Sequence, residues 1–433
     1  MRKSLIRTSA LAGMAAVAIA CGGDDSKAPN SPVDVIDSGV PADPVAVPAA
    51  SDTAPEPAAP APEQHAELSA DAKSAYADGF KSWTAGDLAT AKAKFLEATK
   101  KDPKSATAFY SLGCVLERMG DNAGAQAAYK SAVGAKSDYV LAMGAYAISL
   151  ARTGNTGEAT SFLTDKRAKT PNSAPLANYL AEVRSLAKDS AGAQQAAQDA
   201  LRIDSNFKDA MVTIARDHHR SGREDLAKYA LTAVLDGFGQ SNPARDPDNA
   251  EAHLLRGLIE RSAGQRIAAM KDFEFARAKR PDLIEALIQI GAMKLESGDA
   301  TGAQPLLEAA VRYAPNQALG HSNLGDCYRL QGRLAEAKKE FDTALAQDAT
   351  LSAAHYAMGL MYLNAASYPG MSATDQVGAA IRELNTYKQM RGPKAAPGVS
   401  DDIDDLITRA NKKKEDLNPA PAAPAASAPP KKK

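Results

Sequence analysis

Aromatic residues are scarce in this chain: Phe, Trp and Tyr make up 5% of 433 residues, and Trp83 is the single tryptophan. Alanine dominates many stretches instead, with leucine, lysine and glutamate. That bias favours helices over sheets. An excess of charge is missing too. The 51 Lys and Arg against 52 Asp and Glu leave a formal net charge of −1. The molecule as a whole is therefore not built to embrace nucleic acid.

Catalytic motifs are also lacking. There is no His-Glu-x-x-His pair, no glycine-rich phosphate loop closing in Lys-Ser/Thr, and no serine elbow. Acidic side chains are scattered over solvent faces. These absences predict a protein that is no enzyme and holds no metal, no cofactor and no small-molecule substrate.

What the chain has at its start is an export signal. Arg2, Lys3 and Arg7 precede an unbroken run of apolar residues and Gly from Leu11 to Ala20. That run is too short for a permanent membrane span. It ends in Ala18-Ile19-Ala20-Cys21-Gly22, which resembles a bacterial lipobox. The resemblance implies cleavage before Cys21, lipid on its thiol and, with Gly22 following, delivery to the outer membrane. Each buried CH₂ of an acyl chain contributes about 0.8 kcal/mol, so several chains make a stable anchor. The alternative is an ordinary signal peptide with an incidental cysteine.

Residues 21–66 read as a disordered tether. Nine prolines lie between Pro29 and Pro62, and the nine acidic residues from Asp24 to Glu67 face a single Lys27. Such a segment buries too little apolar surface to fold, and its own charge extends it. From about Ala72 a period of 34 residues sets in. Gly86, Gly120 and Gly154 mark it, as do Gly264, Gly298 and Gly332, each followed by a polar residue. The fourth unit carries Lys188-Asp189 instead. Small residues (Gly79, Gly113, Gly257, Gly291, Gly325) recur at the eighth place of each unit. Large ones (Phe95, Tyr129, Leu163, Leu231, Phe273, Leu307, Phe341) recur at the twenty-fourth, weakened to Ala197 in the fourth unit. Pro103, Pro171, Pro281 and Pro315 close the second helices.

This phase resembles the tetratricopeptide repeat, a helix–turn–helix unit. The resemblance implies an all-α, right-handed solenoid of about nine repeats over residues 67–392. A capping helix is expected over 393–417 and a disordered Pro/Ala/Lys tail over 418–433. The fifth repeat carries about eight extra residues near Gly237 to Arg245. The ninth has a stretched turn through Ser367 to Met371, with its second helix resuming near Val377 to Met390. Cys114 and Cys327 fall six repeats apart, too far to bridge, and read as small core residues. His253, His321 and His355 share the fourth place of their repeats and do not converge.

By the same resemblance, partners bind in the concave groove of the first helices, lined by places 2, 5, 9 and 12. In the first two repeats these are Tyr76, Phe80, Trp83 and Tyr110. They form either a partner site, partly accessible in the free protein, or a hydrophobic cap on the end of the solenoid. The middle groove is polar, with Glu182, Asp209, Arg216, His219, Glu251 and Arg261. The far end is apolar again, with Tyr356 and Leu360. The partner-binding set is therefore Tyr76, Phe80, Trp83, Tyr110, Arg216, Tyr356 and Leu360.

The overall layout also resembles the tetratricopeptide lipoproteins of the myxobacterial adventurous gliding motility complex. The stretches Arg382-Glu383-Leu384-Asn385-Thr386-Tyr387 and Asp404-Asp405-Leu406-Ile407 contribute. This implies a scaffold in the periplasm, anchored to the outer membrane and holding other envelope proteins. A pilotin-like assembly factor for a secretin and an accessory factor of envelope biogenesis remain as alternatives.

Overall fold

The computed structural model describes residues 68–391 and 402–418. The signal, the tether, the tail and Cys21 lie outside the described residues. Among the described residues nineteen α-helices follow one another, with only an isolated bridge between Gly237 and Pro243 as extended pairing. Antiparallel pairs form the nine repeats. The first four are α1 (Ala70–Thr84) with α2 (Leu88–Lys101), α3 (Ala106–Arg118) with α4 (Asn122–Ala135), α5 (Val140–Arg152) with α6 (Thr156–Lys169), and α7 (Ala174–Leu186) with α8 (Ser190–Ile203). The next three are α9 (Lys208–Arg220) with α10 (Glu224–Leu235), α11 (Ala250–Ser262) with α12 (Arg266–Lys279), and α13 (Ile284–Glu296) with α14 (Ala300–Tyr313). The last two are α15 (Ala318–Leu330) with α16 (Leu334–Gln347) and α17 (Ser352–Asn364) with α18 (Ala373–Arg391). The cap α19 (Ile403–Leu417) ends the array.

The turn between paired helices needs a left-handed residue, and glycine adopts that conformation without steric cost. Gly86, Gly120, Gly154, Gly222, Gly264, Gly298 and Gly332 all have positive φ there. Lys188, at φ 61°, is the one non-glycine residue so held among the described residues. Asp87, Asp121, Asp189 and Asp299 then cap the second helices, each side chain accepting from the backbone N–H three residues on. The paired helices touch where a missing side chain admits a ring. A Cβ on Gly79 would sit 2.8 Å from the Phe95 ring, and one on Gly325 would sit 2.8 Å from Phe341. Phe95, Tyr129, Phe273 and Phe341 are fully buried at this place.

From α3 onward the first helices bury most of their residues, and the second helices only one stripe. Thus α3 buries eleven positions from Ala106 to Arg118, while α4 buries Ala125, Ala128, Tyr129 and Ala132. The first helices therefore form the inner layer. The two departures from the 34-residue phase lie where expected, between Leu235 and Ala250 and between Asn364 and Ala373. The ninth repeat's second helix is longer than expected, beginning at Ala373. The cap begins at Ile403, and residues 393–401 lie outside the described residues. Ile403, Leu406 and Ala410 bury its inner stripe, while Ile407 is half-buried.

Cys114 and Cys327 are both buried, and neither forms a disulfide. Burial pushes the thiols up, to about 12 for Cys114 and about 11 for Cys327, so neither is a reactive thiolate at neutral pH. Each histidine at the fourth place pairs with a carboxylate across its own helix pair. His253 Nδ1 lies 2.8 Å from Asp272, His321 Nδ1 lies 2.6 Å from Glu340, and His355 Nδ1 lies 2.7 Å from Glu383. These are structural ties, and they do not converge on one site.

Candidate partner-binding channel

Successive repeats are rotated, and the accumulated rotation brings the seventh repeat back to the first two. Arg118 at the end of α3 donates to Asp282 Oδ2 at 2.8 Å, across 164 residues of sequence. Its guanidinium also lies over the Trp83 ring, 4.3 Å from the centroid. The Tyr313 hydroxyl donates to the Thr84 carbonyl at 3.4 Å. The Gly86 and Gly120 turns allow the close approach. A Cβ on Gly86 would meet Arg312 at 2.9 Å, and one on Gly120 would meet Asn316 at 2.9 Å. One coil of the solenoid thus rests on the next, and the concave groove becomes a channel.

Within the channel, a cavity of about 320 Å³ is lined by residues of the second to sixth repeats. Its apolar wall includes Leu141, Ala145 and Ile148 of α5 and Val212 of α9. Its polar wall includes Asn178, Tyr179 and Glu182 of α7, Asp209 and Arg216 of α9, and Glu251 of α11. Glycine makes room for one of these. A Cβ on Gly144 would collide with the Tyr179 ring, so the absent side chain in the third repeat seats the tyrosine of the fourth.

Charge is stitched across the repeats on this wall. Arg216 donates to Glu182 at 3.1 Å and to Glu251 at 2.8 Å. Arg220 donates to Glu182 at 2.7 Å, and Arg280 donates to Glu251 at 3.2 Å. Arg152 pairs with Glu117, which also accepts from the Tyr129 hydroxyl at 2.7 Å. Burial alone would push the Glu182 carboxyl up, but the Arg220 and Arg216 guanidiniums hold it below the usual range. Asp209 shifts the other way. Its side chain is open to solvent inside the channel, but desolvation by the crowded channel walls and the nearby Glu251 carboxylate raise it, and Arg216 offsets only part.

The structure corrects the reading of the N-terminal aromatics as accessible. Trp83 is 2% exposed, and Tyr76 and Tyr110 are equally enclosed. The Tyr76 hydroxyl is hydrogen-bonded with Ser111 Oγ at 2.9 Å. Tyr110 packs its ring against Tyr129 and Tyr139 at 5.8 and 5.6 Å between centroids. The coil closure and the second repeat cover them, as in the hydrophobic-cap alternative. Phe80 is half-buried against the same core. At the far end the Tyr356 hydroxyl donates to Asp402, at the start of the cap, at 3.1 Å, and Leu360 is buried. The chain's own cap takes that surface. Of the expected set, Tyr110 and Arg216 line the cavity, and Arg216 is only 5% exposed.

Asn178, Leu141 and Ile148 were not singled out from sequence, although they occupy places 5, 2 and 9 of their repeats. Applying the four-place rule to the third and fourth repeats would have found them. Tyr179, at the sixth place, carries no such signal.

Two segments, residues 110–174 and 294–360, match the family described as tetratricopeptide repeat, and the chain carries these repeats. Among 283 matching solved chains, one from the APC/C hetero-tetramer Cut9–Hcn1 aligns over 78% of this chain and 76% of its own, with TM-score 0.51 and 15% identity. That likeness shows the fold alone. A MamA structure is 20% identical over 41% of this chain and 92% of its own, with TM-score 0.31. MamA from Desulfovibrio magneticus RS-1 (residue 41 to the end) is 16% identical over 38% of this chain and 93% of its own, also with TM-score 0.31. No curated protein matches the chain significantly.

Proposed function

We propose that this chain is a non-enzymatic scaffold that holds an extended segment of an envelope protein in its channel, on the periplasmic side of an outer membrane to which lipidated Cys21 ties it. The closed channel carries the reading. A groove walled by rigid first helices binds a peptide at low ordering cost on the protein's side. The lipobox-like Ala18 to Gly22 and the proline-rich tether support the anchor, and the resemblance to gliding-motility lipoproteins supports an envelope machine as the setting. Pilotin-like escort of a secretin is the second reading, favoured by the same anchor and repeats.

Crosslinking in cells followed by purification tests both. Motility proteins among the captured partners support the first reading, and a secretin supports the second. Capture of no envelope protein would sink both. For the anchor, a Cys21→Ser strain is expected to lose acyl label from the protein. Label persisting in that strain would refute lipidation at Cys21.

A further inference from the structure

On the scaffold reading above, we infer that the channel takes a cationic side chain, the lysine or arginine of an extended partner segment, with Asp209 as its counter-charge and Asn178 Oδ1 as a hydrogen-bond acceptor. Glu182 and Glu251 are committed to arginines that cross the repeats. Asp209 makes no hydrogen bond or ion pair among the described residues, and it faces solvent inside the channel. The lining arginines Arg152, Arg216 and Arg280 each pair with a carboxylate, of Glu117, Glu182 or Glu251.

The second observation is independent of charge. Asn178 is 8% exposed, its Oδ1 has no hydrogen-bond partner, and it lines the same cavity. A buried acceptor left unmade costs free energy until a donor reaches it. Asp209 and Asn178 Oδ1 therefore ask for the same thing, a ligand that carries both positive charge and N–H donors. Tyr179 stands beside them, its phenol held neutral by burial and by the Asp209 and Glu251 carboxylates.

The apolar part of the lining suits the rest of such a side chain. Leu141, Ile148 and Val212 offer an apolar surface against which the methylene stem of a lysine or arginine packs while its head stays polar. A bare metal ion fits less well. No group of three or more His, Cys, Asp or Glu among the described residues is placed to hold one. An ammonium or guanidinium needs only the one carboxylate and neutral acceptors present.

The test uses the full chain and short, blocked, fluorescein-labelled peptides of alternating Ala and Ser. One set carries Lys at spaced positions, and matched sets carry Gln or Glu there. By anisotropy, the Lys set should bind about tenfold or more tightly than either other set. Asp209→Asn should weaken it by about ten- to hundredfold, the range for a lost hydrogen bond to a charged group. Asn178→Leu should weaken it too, while Asp225→Asn on the outer helix α10 should leave it unchanged. Circular dichroism on each variant separates lost binding from lost fold. Equal binding of the three peptide sets, or Lys-peptide binding untouched by Asp209→Asn, overturns the inference. Spermidine competing as well as the peptide overturns the assignment to a protein segment. If cells still yield crosslinked envelope partners while the peptides show no cation preference, this inference fails and the scaffold reading stands.

Discussion

Replacing Glu182 with glutamine should loosen the middle of the solenoid far more than its near-identical volume suggests. The carboxylate is 1% exposed and accepts from Arg216 at 3.1 Å and from Arg220 at 2.7 Å. Glutamine keeps one acceptor oxygen but turns an N–H₂ donor toward a guanidinium that also only donates. Two hydrogen bonds to charged groups lose their ionic partner, and two buried guanidiniums lose that compensation. Arg216 retains Glu251 at 2.8 Å, which limits the loss. Removing one partner of a buried pair costs about 3–5 kcal/mol, and two charge-assisted bonds at about 1.5–3 kcal/mol each agree. That is a large fraction of the roughly 5–15 kcal/mol that holds a typical domain folded.

The effect should depend on pH in a defined direction. The folded Glu182 carboxyl is held below its ordinary value, so its stabilisation is fully present above about pH 4.3, the unfolded value. It is lost as pH falls through the folded value. The gap between wild type and Glu182→Gln should therefore be widest near neutrality and close in acid. Urea unfolding followed by circular dichroism gives the gap, and hydrogen exchange over residues 174–220 locates it. A difference under about 1 kcal/mol at pH 7, or one constant down to acid, would refute the reasoning.

Three further outcomes follow from the same geometry. Lys188→Gly removes a left-handed strain of about 1–2 kcal/mol and adds about 0.5–1 kcal/mol of unfolded-state freedom. A net gain of about 0.5–1 kcal/mol and slower exchange in the fourth repeat are expected, and a lowered melting temperature would contradict this. Asp209→Asn should raise the melting temperature at neutral pH, because the folded state disfavours the ionised carboxylate. The gain should vanish once pH falls below the unfolded carboxylate value, and a loss at neutrality would show that Asp209 has a stabilising partner. Trp83→Ala removes a buried ring and its stacked Arg118, costing about 3–5 kcal/mol, felt as fraying of the first two repeats. Exchange there that matches wild type would count against it.

The repeat core was legible because each rule acts within one unit or between neighbours. A glycine at place 8 and a ring at place 24 meet inside one helix pair, so Gly79 and Phe95 announce each other in sequence. The left-handed turn is equally local, and Lys188 was recognisable as the exception. The channel was legible only in part. Arg216 and the polar middle groove follow from place numbers, but the burial of Trp83 does not. It depends on Arg118 reaching Asp282 after rotation has accumulated over several repeats. Small errors in that rotation move the coil edge by many ångströms, and no residue type records the total. Tyr179 was missed for a related reason. Its position is set by Gly144 in the preceding repeat, and Tyr179 itself stands outside the family's groove places.

The location of the ion stitch has a consequence for how the array responds to a ligand. Apolar packing is continuous from Leu68 to Ala210 and then gives way to separate clusters, the next running from Val212 to Ile259. The fourth and fifth repeats are tied by Arg216 and Arg220 to Glu182, and the fifth and sixth by Arg216 to Glu251. In a solenoid, stability is nearly a sum of repeat terms and nearest-neighbour interfaces. Where charge adds to apolar packing at an interface, pH and local potential act on that term directly. Asp209 and Glu251 face the channel at the junction of the fifth and sixth repeats, and their mutual repulsion works against it. A cation held by Asp209 offsets that repulsion, so filling the channel is expected to tighten that junction. By linkage, the occupied protein is then the more stable one, by an amount that grows with ligand concentration. A peptide that binds without protecting residues 208–262 from exchange would break this coupling and would place its cationic group elsewhere.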